Sequence, residues 1–178
     1  MISLTDTSVF KKLLGNKIGS FGSTALQVSE QSIKSMEMNM LIVCKKNCVL
    51  FESDYKFGFS ENEDGDVFYD YKIETNGLEN SLSRKSTVTF DTSEIIQIEI
   101  YGRAFNDKEF TPYADVYKRV KGEKKTDDLF FFTCKNGEKL MLAFHPFMPS
   151  IEVFYKQSWI ESFWNQYGEK YKLHHTIK

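Results

Sequence analysis

Arginine is scarce: only three of the 23 basic residues in this 178-residue chain are arginine, and 25 acidic residues bring the formal charge to −2. That balance excludes a dedicated DNA or RNA binder, which grips phosphates with a basic face. Long apolar runs are missing as well. None approaches the roughly 20 residues a bilayer-spanning helix requires, so no membrane segment is expected. Met1 to Asn16 holds neither an apolar h-region nor a small-residue cleavage site, and reads as the start of an unexported, cytoplasmic chain. Cysteine is limited to Cys44, Cys48 and Cys134. An odd count without a signal peptide fits a reducing compartment and excludes a disulfide framework.

Catalytic and cofactor signatures are absent too. Cys44-Lys-Lys-Asn-Cys48 has half the ligands of a zinc site, but only Cys134 and three histidines remain to complete it, so no metal is expected. Cys44 and Cys48 are expected to face each other across a tight turn. The acidic run Glu61 to Asp66, aligned on Gly65, fails as a calcium loop because Tyr71 occupies the position of the bidentate glutamate. There is no glycine-rich phosphate loop, no His-Glu-x-x-His and no Gly-x-Ser-x-Gly. Asp128 and His145 face each other in the hairpin register proposed below, but no nucleophile accompanies them. His174 and His175 fall in a terminal segment of the kind that is usually mobile. No cofactor is expected.

What the chain does have is apolar mass, 41% hydrophobic and 15% aromatic, enough to exclude a disordered linker. A chain of this length buries about 70% of its unfolded surface, which predicts one domain over 1–178. Asp6 or Thr7 can cap a short helix whose Val9, Phe10, Leu13 and Leu14 share a face, closed by Gly15. Met36 to Ile42 alternates with period two, and Leu41 to Val43 and Val49 to Phe51 flank a hairpin turn. Residues 55–59 and 67–73 predict two more strands joined by the acidic loop. Residues 84–90 and 95–101 predict a further pair around 91–94. Residues 112–121 read as either helix or strand.

Asn136-Gly137 between apolar runs is the strongest hairpin signal. A two-residue turn there sets Leu129 against Phe144, Phe131 against Leu142 and Thr133 against Leu140. Both faces are apolar, which predicts a central hairpin covered on both sides. Ser158-Trp-Ile-Glu161 is a capping box, and Trp159, Ile160, Phe163, Trp164 and Tyr167 form a helical stripe ended by Gly168. The fold expected is α+β: a mostly antiparallel sheet of roughly eight strands with two or three helices packed on it. The Cys44 and Cys134 turns lie 90 residues apart, so two similar halves are also considered.

Charge sorts by segment. Glu52 to Glu79 carries nine acidic and two basic residues, a net −7, whereas Arg103 to Lys125 carries seven basic and four acidic, a net +3. The acidic segment, with Glu61, Glu63, Asp64, Asp66 and Asp70 as its candidate contacts, suits a cationic protein partner.

The opening Leu13-Leu14-Gly15-Asn16-Lys17-Ile18 followed by strands, and the hairpin from Asp128-Leu129 through Asn136-Gly137 to Leu140, resemble the immunity proteins of bacterial contact-dependent growth inhibition and related polymorphic toxin systems. That resemblance implies a non-catalytic inhibitor that binds a basic toxin domain, often a nuclease, and blocks substrate entry, with the acidic segment imitating nucleic-acid charge. The alternative is a small-ligand binding domain or an enzyme whose site lies between the sheet and the 158–167 helix, among Tyr and Trp side chains.

Overall fold

The computed structural model describes residues 7–36, 39–44, 48–58, 66–74, 86–105, 124–145 and 150–178, with the backbone alone at 52–58, 66–72, 74, 103–105, 124–126 and 145. Among these residues twelve strands form two antiparallel sheets. In chain order they are β1 (Ile18–Ser23), β2 (Leu26–Val28), β3 (Ser32–Ser35), β4 (Asn39–Cys44), β5 (Cys48–Gly58), β6 (Asp66–Glu74), β7 (Ser86–Thr89), β8 (Ile95–Phe105), β9 (Lys124–Cys134), β10 (Lys139–His145), β11 (Ser150–Phe154) and β12 (Lys172–Ile177). A five-stranded sheet runs β6-β5-β4-β1-β7 and a seven-stranded sheet runs β12-β8-β9-β10-β11-β3-β2. Helix α1 (Ser8–Lys11) precedes β1. Helix α2 (Gln157–Tyr167), extended by a 3₁₀ turn at Gly168–Lys170, precedes β12. The mostly antiparallel α+β expectation holds, with twelve strands against the roughly eight expected and two helices among the described residues.

The two sheets face each other across the main core. Phe21, Met40, Ile42, Val49 and Phe51 come from the smaller sheet and Ile98, Ile100, Phe130, Phe132, Leu142 and Phe144 from the larger, all buried. Alternation along β4 and β5 turns Leu41, Cys48 and Leu50 to the opposite face in a small cluster of their own. Helix α1 wedges its face into the main core as its spacing predicts. Phe10 and Leu13 are fully buried, and the Phe10 ring stacks on Phe130 at 5.2 Å. Gly15 takes φ +72° in the turn that follows, and its N–H donates to the carbonyl of Ile95 at 2.8 Å. Asp6, the alternative cap, lies outside the described residues.

The β9–β10 hairpin is central, as its two apolar faces predict, but its register is one residue from the expected one. Phe131 pairs with Met141, Phe130 with Leu142 and Leu129 with Ala143. The turn has three residues rather than two. The Gly137 N–H donates to the carbonyl of Cys134 at 2.9 Å, and the Cys134 N–H donates to that of Glu138 at 2.8 Å. With Gly137 at φ +87°, this is a type I turn followed by a left-handed glycine bulge. Phe130, Phe132, Leu140, Leu142 and Phe144 therefore join the main core. Leu129, Phe131, Met141 and Ala143 form a second cluster beneath α2, with Ile160, Trp159, Phe163 and Trp164.

Two further expectations are corrected. First, β7 and β8 do not pair with each other. β7 pairs with β1 in the smaller sheet, while β8 pairs with β9 and β12 in the larger. The segment between them is pinned to β1, because buried Thr92 accepts the Ile18 N–H at 2.9 Å and the Phe90 N–H donates to Gly19. Second, the chain end is no loose tail. β12 pairs with β8 and seats Ile177 in the core. The two halves considered from the sequence share a strand order: β1-β4-β5-β6 with β7 beside β1 in the smaller sheet matches β8-β9-β10-β11 with β12 beside β8 in the larger, to which β2 and β3 add beyond β11. Cys44 and Cys134 each end the second strand of that run. The reading at 112–121 lies outside the described residues.

Candidate functional site

Helix α2 covers only part of the outer face of the larger sheet. Beside it lies a groove of about 460 Å³ bounded by β8, β9, the β9–β10 turn and the helix. Its floor is aromatic. Tyr101 on β8, Phe131 on β9 and Trp164 on α2 meet edge to face in a closed triangle. Tyr101–Trp164 is 4.7 Å, Phe131–Trp164 5.1 Å and Tyr101–Phe131 5.5 Å between centroids. Each such contact adds about 0.5–1.5 kcal/mol beyond area burial, so the floor is rigid while Trp164 and Tyr101 remain only half-buried.

Charged residues ring this floor: Glu99 from β8, Glu161 from α2 and Lys139 from β10. Among the described residues no salt bridge engages any of the three. Burial, the Glu99 charge and a hydrogen bond to Glu99 together raise the Tyr101 phenol above its ordinary range. The hydroxyl therefore stays protonated beside that carboxylate. Gln157 fixes the helix to the hairpin. Its Oε1 accepts the Lys139 N–H at 3.1 Å and its Nε2 donates to the Lys139 carbonyl at 2.6 Å, as a neighbouring strand would. Helix α2 thus starts at Gln157 after Lys156, with no side-chain cap. The capping box expected at Ser158 and Glu161 is not used, which leaves the Glu161 carboxylate at the groove. Gly168 does not end the helix in the left-handed region either, because it sits at φ −59°. Glycine is needed there for space: a Cβ would lie 2.9 Å from the Trp164 ring.

Of the sequence-derived contacts, Glu61, Glu63 and Asp64 lie outside the described residues. Asp66 and Asp70 lie on β6, at the edge of the smaller sheet, with their backbones opposite Gly58 and Asp54. The Asp128–His145 pairing does not form in the register, since Leu129 already pairs with Ala143 and His145 pairs with Ser150. The histidine that does meet a carboxylate is His174, whose Nδ1 lies 2.8 Å from Oδ1 of the buried Asp127. Sequence reasoning missed this pair because 47 residues separate its members.

All three cysteines are buried and form no disulfide. Cys48 stands opposite Val43, not Cys44. The two thiols fall in different clusters on opposite faces of the sheet, which corrects the expected facing pair. Burial, with a smaller contribution from Cys48, pushes the Cys44 thiol up to about 11. Among the described residues no group of three or more His, Cys, Asp or Glu side chains is arranged to hold a metal ion, and no helix is long and apolar enough to cross a membrane.

Among the described residues the fold is a two-sheet antiparallel architecture with a groove beside helix α2. No family model matches the chain, and neither a curated protein nor a solved structure shows significant similarity to it.

Proposed function

We propose that this protein is a non-catalytic binding module that engages a cationic protein partner through the groove between β8–β10 and α2. We further propose that it neutralises that partner, as the resemblance to immunity proteins implies. The observation that carries this reading is the groove itself, a rigid aromatic floor rimmed by two carboxylates that no salt bridge among the described residues engages. Preformed apolar surface with a few convergent polar groups is how proteins hold ligands and the anchoring side chains of partners.

A second reading places the partner on the acidic segment, at Glu61, Glu63, Asp64, Asp66 and Asp70. It is favoured by one feature of the β5–β6 ladder, where Asp54 lies directly opposite Asp70. Like charges directly opposite in an antiparallel pair are destabilising, and a cationic partner would offset that. A third reading is a small-molecule ligand, since the groove falls within the roughly 300–1,000 Å³ of such sites.

One capture experiment separates the three. Native lysate of the source cell is passed over wild-type chain, over a Glu99→Lys/Glu161→Lys variant, and over a Glu61→Lys/Glu63→Lys/Asp64→Lys/Asp66→Lys variant. The groove reading expects a basic protein retained by the wild type and the second variant and lost from the first. Loss from the second variant alone moves the site to the acidic segment. A small molecule detected by native mass spectrometry on the wild type, with no protein retained, establishes the third reading.

A further inference from the structure

Resting on the groove as the binding site, we infer that it receives the guanidinium of an arginine side chain presented by the partner. Three features of the groove select that group. The first is charge. Glu99 and Glu161 outnumber the single Lys139, and no salt bridge among the described residues neutralises them. The groove therefore presents net negative charge to a cation.

The second is the shape of what lies between the acceptors. Trp164 and Tyr101 are half-buried rings held edge to face against Phe131. Their free surface is suited to a flat, weakly hydrated cation. A guanidinium stacks on such rings and donates in its plane to carboxylates, whereas a lysine ammonium is compact, strongly hydrated and cannot stack.

The third is polarity along the groove. Glu99 stands opposite Phe131 on β9, and Lys139 stands opposite Thr133 on the far side of the same strand. Two strand spacings and two residues of rise put their backbones roughly 12 Å apart. The Lys139 backbone is thus set apart from Glu99, at the end of the groove where Gln157 seats helix α2. Gln157 offers no competing contact there, because its amide is consumed by the Lys139 backbone.

The test follows the indole N–H signals of the two tryptophans by NMR. Trp164 lines the groove, whereas Trp159 stacks on Phe154 outside it and serves as the internal control. The probes are N-acetyl-arginine-N-methylamide, its lysine counterpart and its citrulline counterpart, which keeps the shape of arginine and loses the charge. The arginine probe should shift Trp164 saturably and leave Trp159 still. The citrulline probe should bind at least ~10-fold more weakly, and the lysine probe should fall between them. Glu161→Gln, at an exposed helix position, should weaken the arginine probe at least ~3-fold, and Glu99→Gln should do the same in a chain whose spectrum remains folded. Citrulline binding as well as arginine overturns the guanidinium assignment and leaves the groove standing as a binding site. Trp164 unmoved by every probe up to its solubility limit overturns the assignment as well, and the groove reading then stands or falls on the capture experiment alone.

Discussion

Replacing Gly168 with alanine should destabilise this protein, against the usual expectation for a glycine with helical dihedrals. At φ −59° and ψ −31°, alanine fits the backbone without strain and should contribute about 0.4–1 kcal/mol by restricting the unfolded chain. The added methyl, however, would lie 2.9 Å from two ring atoms of Trp164 and 3.2 Å from its Nε1. The indole cannot yield freely, because Tyr101 and Phe131 hold it at 4.7 and 5.1 Å. Overpacking of this kind costs about 1–3 kcal/mol, so the net loss should be about 1–2 kcal/mol. Urea unfolding read by tryptophan fluorescence measures it directly, and the melting temperature should fall by about 2–4 °C for each kcal/mol in a chain of this size. Trp164→Leu provides the control. With the ring gone, Gly168→Ala should become neutral or stabilising, giving a coupling of about 1–3 kcal/mol in the double-mutant cycle. A Gly168→Ala protein that is more stable than wild type would refute the packing described at the end of α2.

Other outcomes follow from the same packing. Phe131→Ala, which empties the position joining the floor of the groove to the second core cluster, should cost about 3–5 kcal/mol by denaturant unfolding, and a cost under about 1 kcal/mol would show that the ring is not buried. The Cys44 thiol is held protonated in the fold, so its contribution is fully present below pH 9 and is lost as pH rises toward about 11. A stability profile through that window should decline less steeply in Cys44→Ala, and identical alkaline slopes would contradict it. His174→Ala should cost about 1–3 kcal/mol by removing a partner of buried Asp127, with amide exchange accelerated in β12 and unchanged in β9 and β10. Equal acceleration in all three strands would show that the pair does not act locally.

The elements read most easily from sequence were those whose signals are local. Phe10 of α1 and Leu13 in the turn after it, the β4–β5 and β5–β6 hairpins and the aromatic stripe of α2 each follow from local spacing. The β9–β10 hairpin was found but slipped by one residue. Lys135-Asn-Gly137 suits both a two-residue and a three-residue turn, and a hairpin apolar on both faces carries no polar position to penalise the wrong register. The false β7–β8 pair, the unused capping box and the overlooked β12 share another cause. Each is settled by a distant partner: the Thr92 hydroxyl meeting Ile18, Gln157 meeting Lys139, and His174 meeting Asp127. The groove was legible only as a place, between sheet and helix. Its carboxylates come from residues 99 and 161 and its floor from residues 101, 131 and 164, so no contiguous motif announces it.

Hydrogen exchange followed by mass spectrometry, with and without the captured partner, tests most directly where this protein binds. Protection should appear on α2 from Gln157 to Tyr167 and on the turn from Lys135 to Lys139, because these segments form the exposed walls of the groove. Protection confined to β5 and β6, with α2 unchanged, would contradict binding at the groove.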